Sequence, residues 1–223
     1  MSCSKMGVFS WRNHDGNKTQ FNNFQRIMND IPSGAHLDAC EARQWINSYV
    51  PVDSVSAEYQ RQFVGLIERA PDYFANRHNY ELQLPGHFTA QAVVFNPDLQ
   101  AVALMHHLKL GIWVGPGGHI DVGDANAEMA ARREAEEEMG LTDLVLMRAA
   151  PFDLDVHGFP AKGTQPDHLH YDIRYLFSTS QVELRANHES RAVEWTPIAR
   201  YPERVGWWLS NSRLIRGLQA IAG

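Results

Sequence analysis

Gly117-Gly118-His119-Ile120-Asp121, a short turn, and then Arg133-Glu134-Ala135-Glu136-Glu137-Glu138-Met139-Gly140-Leu141 form the stretch on which the reading of this chain turns. Glu134, Glu137 and Glu138 are spaced i, i+3 and i+4, so on a helix they share one face with Cβ atoms roughly 5 to 6 Å apart. Three carboxylates on one face make a hard oxygen cage, the donor type that magnesium takes together with waters and substrate phosphate oxygens. A solvated acidic face is the plainer alternative, because like charges at this spacing cost only about 0.2 to 0.5 kcal/mol per pair. The flanks weigh against it. A glycine pair leaves an apolar strand, a turn follows, Arg133 stands four residues before Glu137, and Gly140 supplies a helix stop.

These residues resemble the Nudix box, written G-x5-E-x7-R-E-U-x-E-E-x-G-U with U aliphatic. Arg133, Glu134, Glu137, Glu138, Gly140 and Leu141 stand at matching places, with Ala135 at the first aliphatic one. There are two departures. With Gly118 as the first glycine, Asp124 stands where the box has Glu, and eight residues instead of seven separate it from Arg133. The extra residue falls in or near the turn, so the helix stays in register while Asp124 is left without an assigned role.

The resemblance implies a Nudix hydrolase with an α+β fold: an α/β/α sandwich around a mixed sheet, with the box as a loop-helix-loop at its edge, covering about residues 85–201. It also implies that Mg²⁺ or Mn²⁺ is held by Glu134, Glu137, Glu138 and the Gly118 carbonyl. Cleaving a phosphoanhydride requires neutralising its charge, placing a water in line and deprotonating it. Arg133 would orient the carboxylates by ion pairing. Glu134 or Glu137 is the candidate base within the box. Glu189 is the candidate outside it, in a region where Nudix enzymes often place a further acid; an exposed loop glutamate is its simpler reading.

The flanking patterns agree with a mixed sheet. Residues 88–95, 101–106 and 110–114 read as strands running into the glycine loop, and the box helix should span about residues 125–139. Further strands are expected over 144–149, 153–156, 168–177 and 192–197, with an amphipathic helix over 203–221. Strands, one buried helix, more strands and a closing helix fit a mixed sheet with helices on its faces.

Within the later strand, alternation puts His168, His170, Asp172 and Arg174 on one face and Leu169, Tyr171, Ile173 and Tyr175 on the other. The polar face is either solvent-facing, as is common in antiparallel sheets, or functional. In the functional reading Arg174 and a histidine meet substrate phosphates, or His170 and Asp172 pair behind the metals. His119, directly after the glycines, either touches phosphate or satisfies the loop backbone. Trp113 could stack on a base, but it reads better as core, as does Trp195.

Residues 1–84 read as an arm and helical extension, and residues 85–223 as the catalytic domain. The first 30 or so residues are polar, with Phe9, Trp11, Phe21 and Phe24 scattered among them; they form either a loose arm or a short helix docked through Phe21, Phe24 and Ile27. Helical spacing over residues 38–49 and 57–69 follows, ended by Pro51 and Pro71. This region could cap the active site, mediate homodimerisation or extend the core.

At 223 residues, 44% hydrophobic and 21% charged, the chain suits one sizeable domain and a smaller one. Its formal charge of −6 offers no basic field for a membrane surface or long nucleic acid, so a small nucleotide is the expected substrate, with an RNA 5′ end the exception. Two cysteines, Cys3 and Cys40, make no disulfide framework, and no apolar leader precedes a cleavage site, so a cytoplasmic protein is expected. ADP-ribose, sugar nucleotides, dinucleotide cofactors, oxidised nucleoside triphosphates and capped RNA all fit the box. Two rivals remain. A nucleotide-binding regulator without hydrolase activity would be favoured by loss of a box glutamate, and all three are present. A prenyl-diphosphate isomerase needs a cysteine in the sheet region, where there is none.

Overall fold

The computed structural model describes residues 39–69, 86–121, 123–161, 166–205 and 212–223. The N-terminal arm with its aromatics lies outside the described residues. Two helices, α1 (Ala39–Ser48) and α2 (Ser54–Arg69), precede strands β1 (Gly86–Phe95), β2 (Ala101–His107), β3 (Trp113–Val114) and β4 (Gly117–His119). The box helix α3 (Ala127–Met139) follows, then β5 (Val145–Leu146), β6 (Asp153–Phe159), β7 (His168–Ser178), β8 (Ser190–Pro197), α4 (Tyr201–Val205) and α5 (Ser212–Ala222).

All eight strands join one mixed sheet. Strand β1 pairs in parallel with β7 from Gly86↔Leu169 to Phe95↔Ser178, and antiparallel with β2 and β4. Strand β6 pairs antiparallel with the other edge of β7, and β8 with β2. Residues alternate between faces along each strand. On one face Phe88, Ala90, Ala92 and Val94 meet Tyr171, Ile173, Tyr175 and Phe177, covered by α1, α2 and the alanine stripe of α3. On the other face Val93, Phe95, Val102, Leu104 and Leu176 are covered by Tyr201, Val205, Leu214 and Leu218 of the C-terminal helices. The expected α/β/α sandwich is present.

The N-terminal helices extend this core. Ala42, Ile46, Tyr49, Phe63, Leu66 and Ile67 belong to the same buried cluster as the sheet. Phe63 stacks on Phe88 with centroids 5.4 Å apart and meets Tyr171 edge-on at 5.3 Å. Helix α2 starts at a reciprocal cap: the Ser56 backbone N–H donates to Asp53 Oδ1 at 2.8 Å and the Asp53 N–H to Ser56 Oγ at 3.1 Å. Gln60 Nε2 donates to the Ile46 and Tyr49 carbonyls at 2.8 and 2.9 Å, tying the end of α1 to α2.

Several boundaries differ from the sequence reading. The strand expected over 110–114 is only Trp113–Val114, that over 144–149 only Val145–Leu146, and the closing helix is described as α4 and α5. Strand β4 replaces the glycine loop expected there. Its Gly117-Gly118 pair carries no β propensity, and tertiary pairing with Gln91 and Ala90 makes it a strand. The solvent-facing alternative for the polar side of β7 is also corrected. Asp172 is 8% exposed and Arg174 1%, because β7 lies between β1 and β6.

Candidate active site

The box helix is fixed at both ends by its own sequence. Asn126 Oδ1 accepts the Met129 N–H at 2.8 Å, and Gly140 closes the helix in the left-handed region at φ 68°, its N–H returning to Glu136. Ala130, Ala131 and Ala135 are fully buried toward the sheet, which brings the backbone of α3 close to β1 and β4. The carboxylates of Glu134, Glu137 and Glu138 consequently reach the glycine strand. The Gly117 N–H donates to Glu138 Oε2 at 2.9 Å. A Cβ on Gly118 would stand 2.6 Å from Glu134 Oε1, so the absent side chain is the space the carboxylate occupies.

Arg133 ties these parts together. Its Nε and Nη2 donate to the two oxygens of Asp124 at 3.0 and 2.9 Å, Nη2 also to the His119 carbonyl at 2.9 Å, and Nη1 to Glu134 at 2.9 Å and Glu137 at 3.2 Å. This gives Asp124 a role that its shifted position had obscured. Asp124 is shorter than glutamate, but the extra residue lets the turn bring it in, with the Asp121 N–H donating to Asp124 Oδ2 at 2.7 Å. Hydrogen bonds donated to Asp124 hold the Arg133 pKa above its ordinary value, with Glu134 adding to the effect against the cost of burial.

The glutamates are short of positive charge. Burial pushes the Glu138 carboxyl up to about 8, opposed by the Gly117 N–H and reinforced by Glu134, Glu189 and Glu137. Glu134 is also raised, chiefly by burial, against the pull of Arg133. Glu138, buried, and Glu134, largely buried beside the more exposed Glu137, offer the hard oxygen donors and uncompensated charge that a divalent cation would satisfy. The residues therefore fit the ion that the box implies.

Glu134, Glu137, Glu138, Arg133 and Gly118 line one cleft of about 710 Å³ together with Glu189, His119 and His170, a volume suited to a nucleotide-sized ligand. Glu189 is brought in by Leu108, whose N–H donates to the Glu189 carbonyl at 2.7 Å, and by Asn187 Oδ1, which accepts the Glu189 N–H at 2.8 Å.

Arg174 does not join the cleft, which corrects its expected phosphate contact. Its Nε donates to Gln91 at 2.8 Å, Nη1 to Asp153 at 2.8 Å, and Nη2 to Asp155 and Asp172 at 3.2 and 3.3 Å. With each nitrogen engaged and the side chain buried, it is the charge centre of the sheet. Trp113 also stays out, edge-on to His106 with the Arg204 guanidinium 4.1 Å above its ring. Trp195 is partly buried and donates its Nε1 to the Val182 carbonyl at 2.8 Å.

Sequence reasoning missed His87, His157, Asp153 and Asp155. The available signal was parity: His87-x-Thr89-x-Gln91 and Asp153-x-Asp155-x-His157 alternate just as His168 to Arg174 do. The strand register places all of them on one face, His87 beside His170 beside His157, and Thr89 beside Asp172 beside Asp155.

A family model for the NUDIX domain matches residues 85–217, more than half the chain. The chain belongs to the Nudix family, which places it by class among the pyrophosphohydrolases. Among solved structures, a C. elegans Ap4A hydrolase is similar at 19% identity with a TM-score of 0.48, covering 60% of this chain and 95% of that one. A Clostridium perfringens NUDIX-family hydrolase is 21% identical, covering 60% of this chain and 95% of its own, with a TM-score of 0.47. The NUDIX domain of Shewanella oneidensis NrtR, complexed with ADP ribose, is 21% identical over 67% of this chain and 96% of that one, with a TM-score of 0.46. A search of curated proteins found no significant relative. Among the described residues no helix is long and apolar enough to cross a membrane.

Gly118→Ala tests the close approach of strand and helix. The new methyl would displace the Glu134 carboxylate, so hydrolysis should fall by at least about tenfold, or 1.4 kcal/mol of barrier. The Tm should change by no more than a few degrees, since the atom met is a side-chain terminus. A fully active Gly118→Ala enzyme would show that Glu134 is free to move without cost.

Proposed function

We propose that the protein hydrolyses a phosphoanhydride bond of a nucleoside diphosphate linked to another moiety, with Mg²⁺ or Mn²⁺ held by Glu134, Glu137, Glu138 and the Gly118 carbonyl. The observation that carries this is the raised, buried Glu138 carboxyl among further carboxylates in a nucleotide-sized cleft. A divalent ion there supplies positive charge against the diphosphate and makes nearby water more acidic. The attacking water forms a new P–O bond, the bridging P–O bond breaks, and the products are a nucleoside monophosphate and the second phosphate-bearing fragment. The water's proton passes to a carboxylate. Glu189 suits this task, because it borders the cleft outside the Arg133 hydrogen-bond set that holds Glu134 and Glu137. Arg133 keeps those two glutamates aimed, and His119 and His170 lie on the cleft wall within reach of the substrate's anionic end.

The test is incubation of purified protein and Mg²⁺ or Mn²⁺ with ADP-ribose, sugar nucleotides, NADH, dinucleoside polyphosphates including Ap4A, nucleoside triphosphates and 5′-triphosphorylated RNA. Cleavage should require the ion, stop on chelation, and be lost in Glu137→Gln, whose exposed side chain leaves the fold unaffected. Silence across the panel by a folded protein would favour a nucleotide-binding regulator instead.

A further inference from the structure

We propose that His87, His119 and His170 form a second metal site, which takes a borderline ion of the zinc class and not the hard ion held by the glutamates. One ligand nitrogen from each of these three rings lies within 4.8 Å of the others. Three imidazoles around a tetrahedral ion at the usual Zn–N distance stand about 3.3 Å apart, so the set closes with small side-chain rotations. The rings come from three different strands, β1, β4 and β7, whose pairing is fixed by the sheet register. His87 and His119 stack with centroids 4.7 Å apart, and His170 lies at the same distance from His87 with its ring tilted by 53°.

The surroundings orient the donors. His168 Nδ1 lies 2.8 Å from the Pro166 carbonyl, to which it donates; in the neutral tautomer this makes Nε2 the acceptor. That nitrogen is 3.2 Å from His170 Nε2, which must then donate, leaving the His170 Nδ1 lone pair for an ion. A ligating histidine that gives its other N–H to a neighbour is the usual arrangement around a metal.

A second group, His157, His170 and Asp172, shares His170 and is already engaged. Asp172 accepts from Thr89 and Arg174, and His157 Nδ1 faces Asp155 at 3.2 Å. The three-imidazole set offers nitrogen donors alone, which suits a zinc-class ion better than a set that includes a carboxylate. Nitrogen donors select borderline ions over magnesium, so the two sites on this cleft would differ in metal. Because His119 and His170 border the cleft, the open position of the second ion faces the space that holds the substrate.

The full-length protein is stripped with a chelator, given zinc chloride with millimolar Mg²⁺ present, passed through gel filtration, and its metal content measured by mass spectrometry. Cobalt(II) titration followed by its visible spectrum reports ligand type. One zinc per chain should be retained by the parent and by Glu137→Gln, and affinity should fall by at least about tenfold in His119→Gln and His170→Gln. His168→Gln, which removes only an orienting partner, should weaken binding by about 10- to 100-fold. Thermal melts establish that the variants fold; should His170→Gln fail, His119→Gln at the cleft surface decides. Zinc retained by both histidine variants but lost in Glu137→Gln would assign the ion to the glutamates and overturn the proposal, as would a folded parent that retains none. Both results are independent of whether Mg²⁺ supports hydrolysis.

Discussion

Glu138→Gln should abolish hydrolysis and at the same time make the metal-free protein more stable. The carboxyl is 5% exposed, and burial raises its pKa to about 8. A group whose folded pKa lies above its unfolded value stabilises the fold fully below the unfolded pKa, near 4.5, and loses that contribution as pH rises through the folded pKa. At pH 7 the metal-free protein therefore carries an uncompensated cost, which glutamine removes while still accepting the Gly117 N–H. With each pKa unit equal to about 1.4 kcal/mol, the expected gain is roughly 1 to 3 kcal/mol, read as a higher Tm in the presence of chelator. Added Mg²⁺ should raise the Tm of the parent and not of the variant. The activity loss should be at least about a hundredfold, near 2.7 kcal/mol. An active Glu138→Gln enzyme would remove this helix from the metal site, and an unchanged Tm would mean the carboxyl is relieved in some other way. The trade of stability for function is the pattern expected of an active-site charge.

Arg174→Met should be the most damaging single change in the sheet. It keeps much of the side-chain volume but strands Asp153, Asp155 and Asp172, and breaking a buried charge set by removing one partner costs about 3 to 5 kcal/mol. Arg213 lies 3.4 Å from Asp153 and 3.6 Å from Asp155 and offsets only part of this. The pH dependence should change sign. In the parent, burial alone would raise Asp155, but Arg174 and His157 hold it below the ordinary carboxylate range; its contribution is present above about pH 4 and lost below it. Asp153, raised by burial against Arg174, opposes that trend in the parent. Without Arg174 the Asp153 and Asp155 carboxyls should be raised by burial, so the variant gains stability as pH falls from 7 toward 4. Urea midpoints at pH 7 and pH 5 measure this, and a variant that loses stability on acidification over that interval would contradict it.

The box helix was legible because everything that makes it a site is local. Glu134, Glu137 and Glu138 share a face by helical period alone, and Gly140 marks the end of the helix, whereas its start at Ala127 behind the Asn126 cap lies two residues later than expected. The polar wall of the sheet was only half legible. Alternation in β7 gave the face shared by His168, His170, Asp172 and Arg174, but alternation does not say whether a face meets water or another strand. That depends on β1 and β6 as neighbours, and His87 and Asp155 acquire meaning only from that register. A phosphate contact for Arg174 stands open in the sequence for the same reason: a guanidinium suits phosphate and buried aspartates equally, and its partners Asp153 and Gln91 lie 21 and 83 positions away. Asp124 was out of place by one residue, and only the three-dimensional turn could show that it still reaches Arg133.

The parallel pairing of β1 with β7 has a kinetic consequence. Thr89 and Gln91 meet Asp172 and Arg174 across 83 positions of chain, so closing that ladder requires a long loop to be drawn in before any of its bonds form. Helices α1, α2 and α3 can begin from local contacts, whereas the wall that carries the histidines and the Arg174 cluster is complete only when this late pairing is made. Until then, a nascent chain can carry its glutamates on a formed helix and still have no cleft to place a nucleotide in.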